Sequence, residues 1–148
     1  MKIAGMSKNP SAEETANAIV VEIRILEGTY NELSARQNLL ERALLEGRAA
    51  LESIKGLAGQ QSTEVLTQIG GGALLHSKPP STDTVLISVG SNVVIEKSKD
   101  EAVAILEERS RDIEKTVISI VGQRNEIAAR LNSDRELLNN LVASSQQD

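Results

Sequence analysis

Residues 65–97 have the sequence VLTQIGGGALLHSKPPSTDTVLISVGSNVVIEK. Four short runs rich in β-branched and aliphatic residues, at positions 65–69, 73–77, 84–89 and 93–97, are separated by groups of turn-forming residues. Those groups are Gly70-Gly71-Gly72, Pro79-Pro80-Ser81 and Gly90-Ser91-Asn92. Short β-rich runs separated in this way predict strands joined by turns. We therefore expect two consecutive β-hairpins.

A long helix is predicted before the hairpins. Ser11 and Glu14 have the spacing of a capping box, and Pro10 precedes them. From there apolar residues recur at alternating spacings of four and three, which is typical of a coiled coil. Gln37 and Gly47 interrupt this seam, which consists of Ile19, Ile23, Leu26, Tyr30, Leu33, Leu40, Leu44, Leu51 and Ile54. We expect the helix to end near residue 59, at a length of roughly 70 Å.

A second helix is predicted after the hairpins. Ser98 and Glu101 form another capping box. Ser110, Arg124 and Asp134 interrupt its seam, which consists of Val103, Leu106, Ile113, Val117, Ile120, Ile127, Leu131, Leu138 and Leu141. If Ile54 lies near Val103, Gly47 faces Ser110, although a slip of one heptad fits the apolar seams equally well. We expect Arg124 to pair with an acid or to extend to water; alternatively, it sets the register.

The predicted fold class is mainly α: a long antiparallel two-helix coiled coil with two β-hairpins between the helices. The expected segments are a flexible leader at 1–10, a coiled-coil helix at 11–59, a β-hairpin assembly region at 60–97, a second coiled-coil helix at 98–143 and a flexible tail at 144–148.

Composition narrows the function. Aromatic residues are 1% of the 148, hydrophobic residues 40% and charged residues 25%, which favours long helices over a compact globular core. A net charge of −5 with interleaved bases argues against a nucleic-acid partner. No apolar run is long enough for a membrane span, so we expect a soluble intracellular protein without a membrane partner. There is no cysteine.

No chemistry of a catalytic site is evident, so we expect no enzyme, no catalytic residues, no metal site and no cofactor. Gly70-Gly71-Gly72 could cradle a phosphate, but no Gly-Lys-Ser/Thr follows, and we favour a turn. His76 has no cysteine or acid at ligand spacing and is expected to be an ordinary strand residue.

The hairpins predict an oligomer. Isolated hairpins are marginally stable, exposed edges invite pairing with another chain, and we expect no long helix across the hairpin faces. The simplest arrangement is an oligomeric β-barrel body built from several subunits. Its candidate assembly residues are Val65, Leu66, Ile69, Leu74, Leu75, Val85, Leu86, Ile87, Val89, Val93, Val94 and Ile95.

The order of long helix, two hairpins and long helix resembles the alpha subunits of the archaeal-type prefoldin family. The resemblance is most specific at residues 65–70, 85–90 and 94–97, leading into Asp100-Glu101-Ala102. It implies a cytoplasmic hetero-hexamer of two alpha and four beta subunits that carries coiled-coil tentacles on a β-barrel body. It further implies ATP-independent capture of unfolded polypeptides and their delivery to a group II chaperonin.

The ends of the two predicted helices carry more aliphatic residues than a seam requires. Val20, Val21 and Ile25 are surplus on the first helix, and Leu137 and Val142 are surplus on the second. We hypothesise a client-binding tip formed by Ile19, Val20, Val21, Ile23, Ile25, Leu137, Leu138, Leu141 and Val142. Alternatively, the surplus residues thicken the helix pair or contact a neighbour. A structural homo-oligomer or filament spacer would need no accessible tip.

Overall fold

The computed structural model describes residues 11–57, 64–79 and 83–145. They form six elements in the predicted order: α1 (Ala12–Gly56), β1 (Val65–Gly70), β2 (Ala73–Ser77), β3 (Thr84–Gly90), β4 (Val93–Ser98) and α2 (Lys99–Ser145). The predicted pattern of two long helices with two hairpins between them is confirmed. The expected leader at 1–10 lies outside the described residues.

Both helices begin at the predicted capping boxes. The Ser11 hydroxyl accepts from the Glu14 amide at 3.2 Å, and the Glu14 carboxylate accepts from the Ser11 amide at 2.9 Å. Ser98 and Glu101 make the same reciprocal pair at 3.3 and 3.2 Å. The hydrogen bonds from the Ser98 amide and hydroxyl, together with the nearby charge of Lys97, lower the pKa of Glu101. Each box supplies acceptors to amides that have no partner within the helix.

The helix ends differ by a few residues from the expected boundaries. α1 ends at Gly56 rather than near 59, and the segment 58–63 lies outside the described residues. Lys99 Nζ donates to the carbonyl of Leu57 at 3.1 Å, just past that end. α2 continues to Ser145, two residues into the segment expected to be a tail, and the Ser144 hydroxyl donates to the Leu141 carbonyl at 2.8 Å.

Every predicted seam position is at least partly shielded from water. In α1 the positions from Ile19 to Ile54 are buried or half-buried, including Gln37 and Gly47. In α2 the same holds from Val103 to Leu141, and Ile120, Leu131 and Asp134 are buried. No helix in the described part of the chain is both long and apolar enough to cross a membrane.

The chain divides into two compact units. The terminal unit contains the described residues up to Leu39 and from Val117 onward, and the hairpin unit is Leu40–Thr116. In the terminal unit, ion pairs join Glu22 to Arg130 at 2.8 Å and Glu27 to Arg135 at 2.7 Å. Since they join residues early in α1 to residues late in α2, the helices of this unit are paired.

The hairpin unit contains the other parts of both helices. Arg48 pairs with Glu114 at 2.9 Å and Lys55 with Glu107 at 3.5 Å. The later residue of α1 therefore pairs with the earlier residue of α2, as expected for antiparallel helices. Gly47 faces Ser110, which selects this register over the one-heptad slip that the apolar seams also allowed.

Each hairpin turns through the same backbone device. Gly70 and Gly90 lie at irregularities of the strand register with φ of 111° and 102°. The two residues that follow each of them have positive φ, namely Gly71-Gly72 and Ser91-Asn92. Two consecutive residues with positive φ form the turn type that suits the twist of a two-residue hairpin.

The β3–β4 hairpin has one buried residue and one side-chain contact with α2, a contact that the sequence did not predict. Val85 pairs with Lys97 and Ile87 with Ile95, so these side chains share a face, and Ile87 is only 6% exposed. The Arg109 guanidinium of α2 donates to the Ser88 carbonyl at 2.8 Å. The long arginine side chain thus holds α2 beside the hairpin, and a strand-period argument alone does not predict that contact.

Candidate binding surfaces

The predicted tip residues fall into two groups in the terminal unit. Ile19 is 7% exposed, and Val20, Ile23, Leu138 and Leu141 are half-buried, so these five are at least partly shielded from water. The other four are exposed: Val21 (55%), Ile25 (63%), Leu137 (48%) and Val142 (49%). We call these four residues the tip surface. Val21 and Ile25 are one turn apart and therefore lie on the same face of α1.

A groove of about 420 Å³ adjoins the tip surface and is lined by Ala12, Glu13, Ala16, Leu141 and Val142. Ala12 and Ala16 continue the four–three spacing of the α1 seam back from Ile19. Their methyl groups are too small to fill the space opposite the larger residues of α2. The sequence reasoning missed these two alanines, and their seam spacing was the signal that could have found them.

A polar cluster lies in the same unit. Arg124 Nη1 donates to Gln37 Oε1 at 2.6 Å, and Arg124 Nη2 donates to the Tyr30 hydroxyl at 2.8 Å. The guanidinium carbon also lies 4.7 Å from the centre of the Tyr30 ring, a cation–π distance. Arg124 thus has neutral partners within the seam, and the expectation that it pairs with an acid or extends to water is wrong.

A second groove, of about 430 Å³, lies beside Tyr30. It is lined by Glu27, Tyr30, Asn31, Ala128, Leu131, Asn132 and Arg135. Because Glu27 and Arg135 are paired with each other, their charges largely offset one another. This groove is more polar than the one at the tip surface and is a weaker candidate for an apolar ligand.

The hairpins expose a larger apolar surface. Of the predicted assembly residues, Ile87 is buried and Val65, Val85 and Ile95 are half-buried. The other eight are exposed: Leu66, Ile69, Leu74, Leu75, Leu86, Val89, Val93 and Val94. We call these eight residues the hairpin surface.

The strand register explains the exposure of the hairpin surface. In the β1–β2 hairpin, Leu66 and Leu74 lie on one face and Leu75 on the other, so both faces present leucine to solvent. In the β3–β4 hairpin, Leu86 and Val94 lie on the face opposite Ile87. Each hairpin is a separate two-stranded sheet.

The other residues that the sequence offered as candidate ligand sites have ordinary structural roles. Gly70-Gly71-Gly72 forms the β1–β2 turn and its register irregularity. His76 Nδ1 lies 3.3 Å from Glu64 Oε1, and both side chains are exposed. No group of three potential metal ligands is clustered within residues 11–57, 64–79 and 83–145.

Sequence comparison identifies the family. Residues 26–143 match the family model described as "Prefoldin subunit". Among similar curated proteins, the prefoldin subunit alpha of Nitrosopumilus maritimus is 29% identical over 92% of this chain and 94% of its own length. That of Methanoregula boonei is 36% identical over 70% of this chain and 73% of its own length.

Solved structures share the fold. The filamentous prefoldin of Methanocaldococcus jannaschii superposes with a TM-score of 0.65 at 22% identity, covering 76% of this chain and 93% of that chain. The prefoldin beta subunit of a Thermococcus strain superposes with a TM-score of 0.59 at 15% identity, covering 91% and 96%. The chain therefore belongs to the prefoldin family of coiled-coil chaperone subunits, and within that family it resembles the alpha subunits.

Proposed function

We propose that this chain is a subunit of an ATP-independent chaperone that captures unfolded polypeptides at the tip surface and delivers them to a group II chaperonin. The observation that carries the proposal is the exposure of Val21, Ile25, Leu137 and Val142 at the helix ends nearest the chain termini. Accessible apolar side chains of this kind suit a partner that exposes its own apolar residues. Such a role requires binding of the polypeptide but no catalysed reaction.

Simple energetics favour several weak contacts over one strong one. Burial of an aliphatic side chain contributes about 1.5–3 kcal/mol, and much of that is offset by the ordering of both partners. One tip surface would therefore hold a client briefly. Several tips on one assembly could raise the overall affinity by roughly 10²–10⁴.

We infer that the hairpin surface joins this chain to its partners, as beta subunits in a hetero-hexamer of two alpha and four beta subunits. Leu66 and Leu74 on one face of the β1–β2 hairpin, Leu75 on the other, and Leu86 on β3 supply the apolar area that supports this. A two-stranded hairpin gains stability when further strands or another chain cover it. A β-barrel shared between subunits would cover both faces and edges.

The chaperonin partner and a cytoplasmic location are inferred from family membership. The tip surface is also where we place contact with the chaperonin, since its four aliphatic residues lie near the helix ends.

The test is suppression of aggregation of a chemically denatured protein in the absence of nucleotide. The tip variant carries Val21→Ser, Ile25→Ser and Leu137→Ser, and it is assembled with beta-type subunits. The matched control carries Leu39→Ser, Leu45→Ser and Ile118→Ser, which are at least as exposed at 66%, 65% and 72% but lie outside the tip surface. Both variants introduce three serines into helices. Because the control replaces two leucines and the tip variant only one, the control loses slightly more helix propensity, so a selective defect of the tip variant cannot come from helix propensity.

We expect the tip variant to lose protection while the control keeps it, with both assemblies of unchanged size by light scattering. Full protection by the tip variant would move client capture to another surface. Equal loss in both variants would indicate a diffuse apolar contact. No protection by the native assembly would favour a structural spacer.

A further inference from the structure

Arg124 connects two seam positions of α1 that are one heptad apart. Its two terminal nitrogens donate to the Tyr30 hydroxyl at 2.8 Å and to Gln37 Oε1 at 2.6 Å. All three side chains are half-buried, and all three belong to the terminal unit. A cation therefore occupies a position in α2 where the surrounding pattern calls for an aliphatic residue.

The aliphatic seams alone do not determine one register. In α1, Ile19, Leu26 and Leu33 are spaced by seven residues, so a shift of one heptad again places an aliphatic residue opposite Leu131. Such a shift displaces one helix by about 10 Å along the other. A pattern that repeats every seven residues tolerates that displacement unless a non-repeating contact opposes it.

Arg124 supplies a contact that does not repeat. Shifted one heptad in one direction, its guanidinium would lie between Ile23 and Tyr30. Shifted in the other direction, the guanidinium would lie between Gln37 and Leu44. Either shift removes one of its two acceptors and places an aliphatic side chain against a charged donor. A buried donor without an acceptor is unfavourable.

Two cross-helix ion pairs favour the same register. Glu22 pairs with Arg130 at 2.8 Å and Glu27 with Arg135 at 2.7 Å. After a one-heptad shift, the position opposite Glu27 would hold Ala128 or Val142. These pairs are about half exposed and weakened by water and salt, so they act as a secondary constraint.

We propose that Arg124, held between Tyr30 and Gln37, sets the register of the two helices in the terminal unit. It thereby decides which parts of α1 and α2 come together at the tip surface. A single polar residue in an apolar seam is known to specify register at some cost in stability. This inference concerns the helix pair itself and does not require the proposed chaperone function.

The absence of cysteine in the chain permits a direct register measurement by disulfide formation. Leu131→Cys is combined separately with Leu26→Cys, Ile19→Cys or Leu33→Cys. The Glu22–Arg130 and Glu27–Arg135 pairs join the stretches that contain Leu26 and Leu131, so that combination reports the native register. The other two report a shift of one heptad in either direction, because a disulfide requires closely approaching Cα atoms.

Each cysteine pair is placed in four backgrounds: the unaltered chain, Arg124→Leu, Arg130→Leu, and Ile23→Gln with Gln37→Leu. Arg130→Leu removes one of the two secondary ion pairs but leaves Arg124 and its acceptors in place. The last double variant moves the second acceptor from one side of Tyr30 to the other. It leaves Arg124 intact, and helix content is checked in every case by circular dichroism.

In the unaltered chain and in Arg130→Leu, we expect the native pair to form the disulfide predominantly. In Arg124→Leu, the share of shifted disulfides should rise roughly tenfold, since leucine makes the seam uniformly aliphatic. In the double variant, the Ile19→Cys/Leu131→Cys disulfide should increase, because that shift places Arg124 between the new glutamine and Tyr30. If Arg124→Leu fails to fold, the double variant with Ile23→Gln and Gln37→Leu tests the proposal instead. Dominance of the native disulfide in every folded background would overturn the proposal.

Discussion

The hydroxyl oxygen of Ser110 lies 3.4 Å from the position that a β-carbon on Gly47 would occupy. A methyl group at that position makes an ordinary van der Waals contact with Ser110. We expect Gly47→Ala to raise the free energy of unfolding by up to about 1 kcal/mol, because alanine is the better helix former. Gly47→Leu should lower it by about 1–3 kcal/mol through overpacking. Chemical unfolding of the assembled protein measures both.

Gly28 provides the control for Gly47, since no atom lies within 4 Å of its hypothetical β-carbon. Gly28→Leu should therefore stabilise α1 by its helix propensity alone. Similar destabilisation by leucine at both positions would show that Ser110 is not the obstacle.

Leu74 tests the hairpin surface. It lies directly opposite Gln68 on one face of the β1–β2 hairpin, and its side chain is exposed in the single chain. If a partner subunit covers this face, Leu74→Lys should weaken assembly about tenfold to a hundredfold, corresponding to one buried leucine. Gln68→Lys adds the same charge on the same face without removing an apolar side chain. Size-exclusion chromatography with light scattering across a dilution series compares them, and equal weakening would indicate a charge effect rather than apolar burial.

The Ser98–Glu101 cap should make stability depend on pH. Hydrogen bonds from the Ser98 amide and hydroxyl hold the pKa of Glu101 below its ordinary value. A group whose pKa is depressed by folding contributes stability above its unfolded pKa and loses it as pH falls through the folded pKa. The melting temperature of the unaltered chain should therefore exceed that of Glu101→Gln at neutral pH, and the difference should shrink in acid below about pH 4. A difference that stays constant from pH 7 to pH 3 would contradict this account.

The ion pair between Glu27 and Arg135 should contribute little by itself. Its atoms are 2.7 Å apart, but both side chains are about half exposed. A double-mutant cycle with Glu27→Gln and Arg135→Gln should give a coupling free energy of about 0.2–1 kcal/mol at low salt. The coupling should decrease in 1 M salt, because the Debye length shortens to about 3 Å. An undiminished coupling in high salt would show that the pair is more desolvated than its exposure indicates.

Local sequence signals predicted most of the fold. The boxes at Ser11 and Ser98 depend on a side chain bonding three residues away, so they can be recognised without knowing the tertiary structure. The four–three spacing predicted each shielded seam position, including the polar ones. The facing of Gly47 and Ser110 was one of two registers that the repeating patterns allowed, and only the structure decides between them.

Contacts between distant residues were harder to predict. Spacing placed Arg124 in the seam, but a partner 94 residues away, the Tyr30 hydroxyl, has no local signature. The hydrogen bond from Arg109 to the Ser88 carbonyl was not predicted for the same reason. The groove beside Ala16 was not predicted, because a count of surplus aliphatic residues does not detect a seam position whose side chain is too small to fill the space. The function of the tip surface remains a prediction.

Tyr30 has a practical consequence for experiments. It is the only aromatic residue in the chain, which contains neither tryptophan nor phenylalanine. Its ring lies under the Arg124 guanidinium, so near-ultraviolet absorption and intrinsic emission from this subunit originate at a single point of the seam. Spectroscopy on the unlabelled subunit can therefore follow the loosening of that one layer separately from the loss of helix.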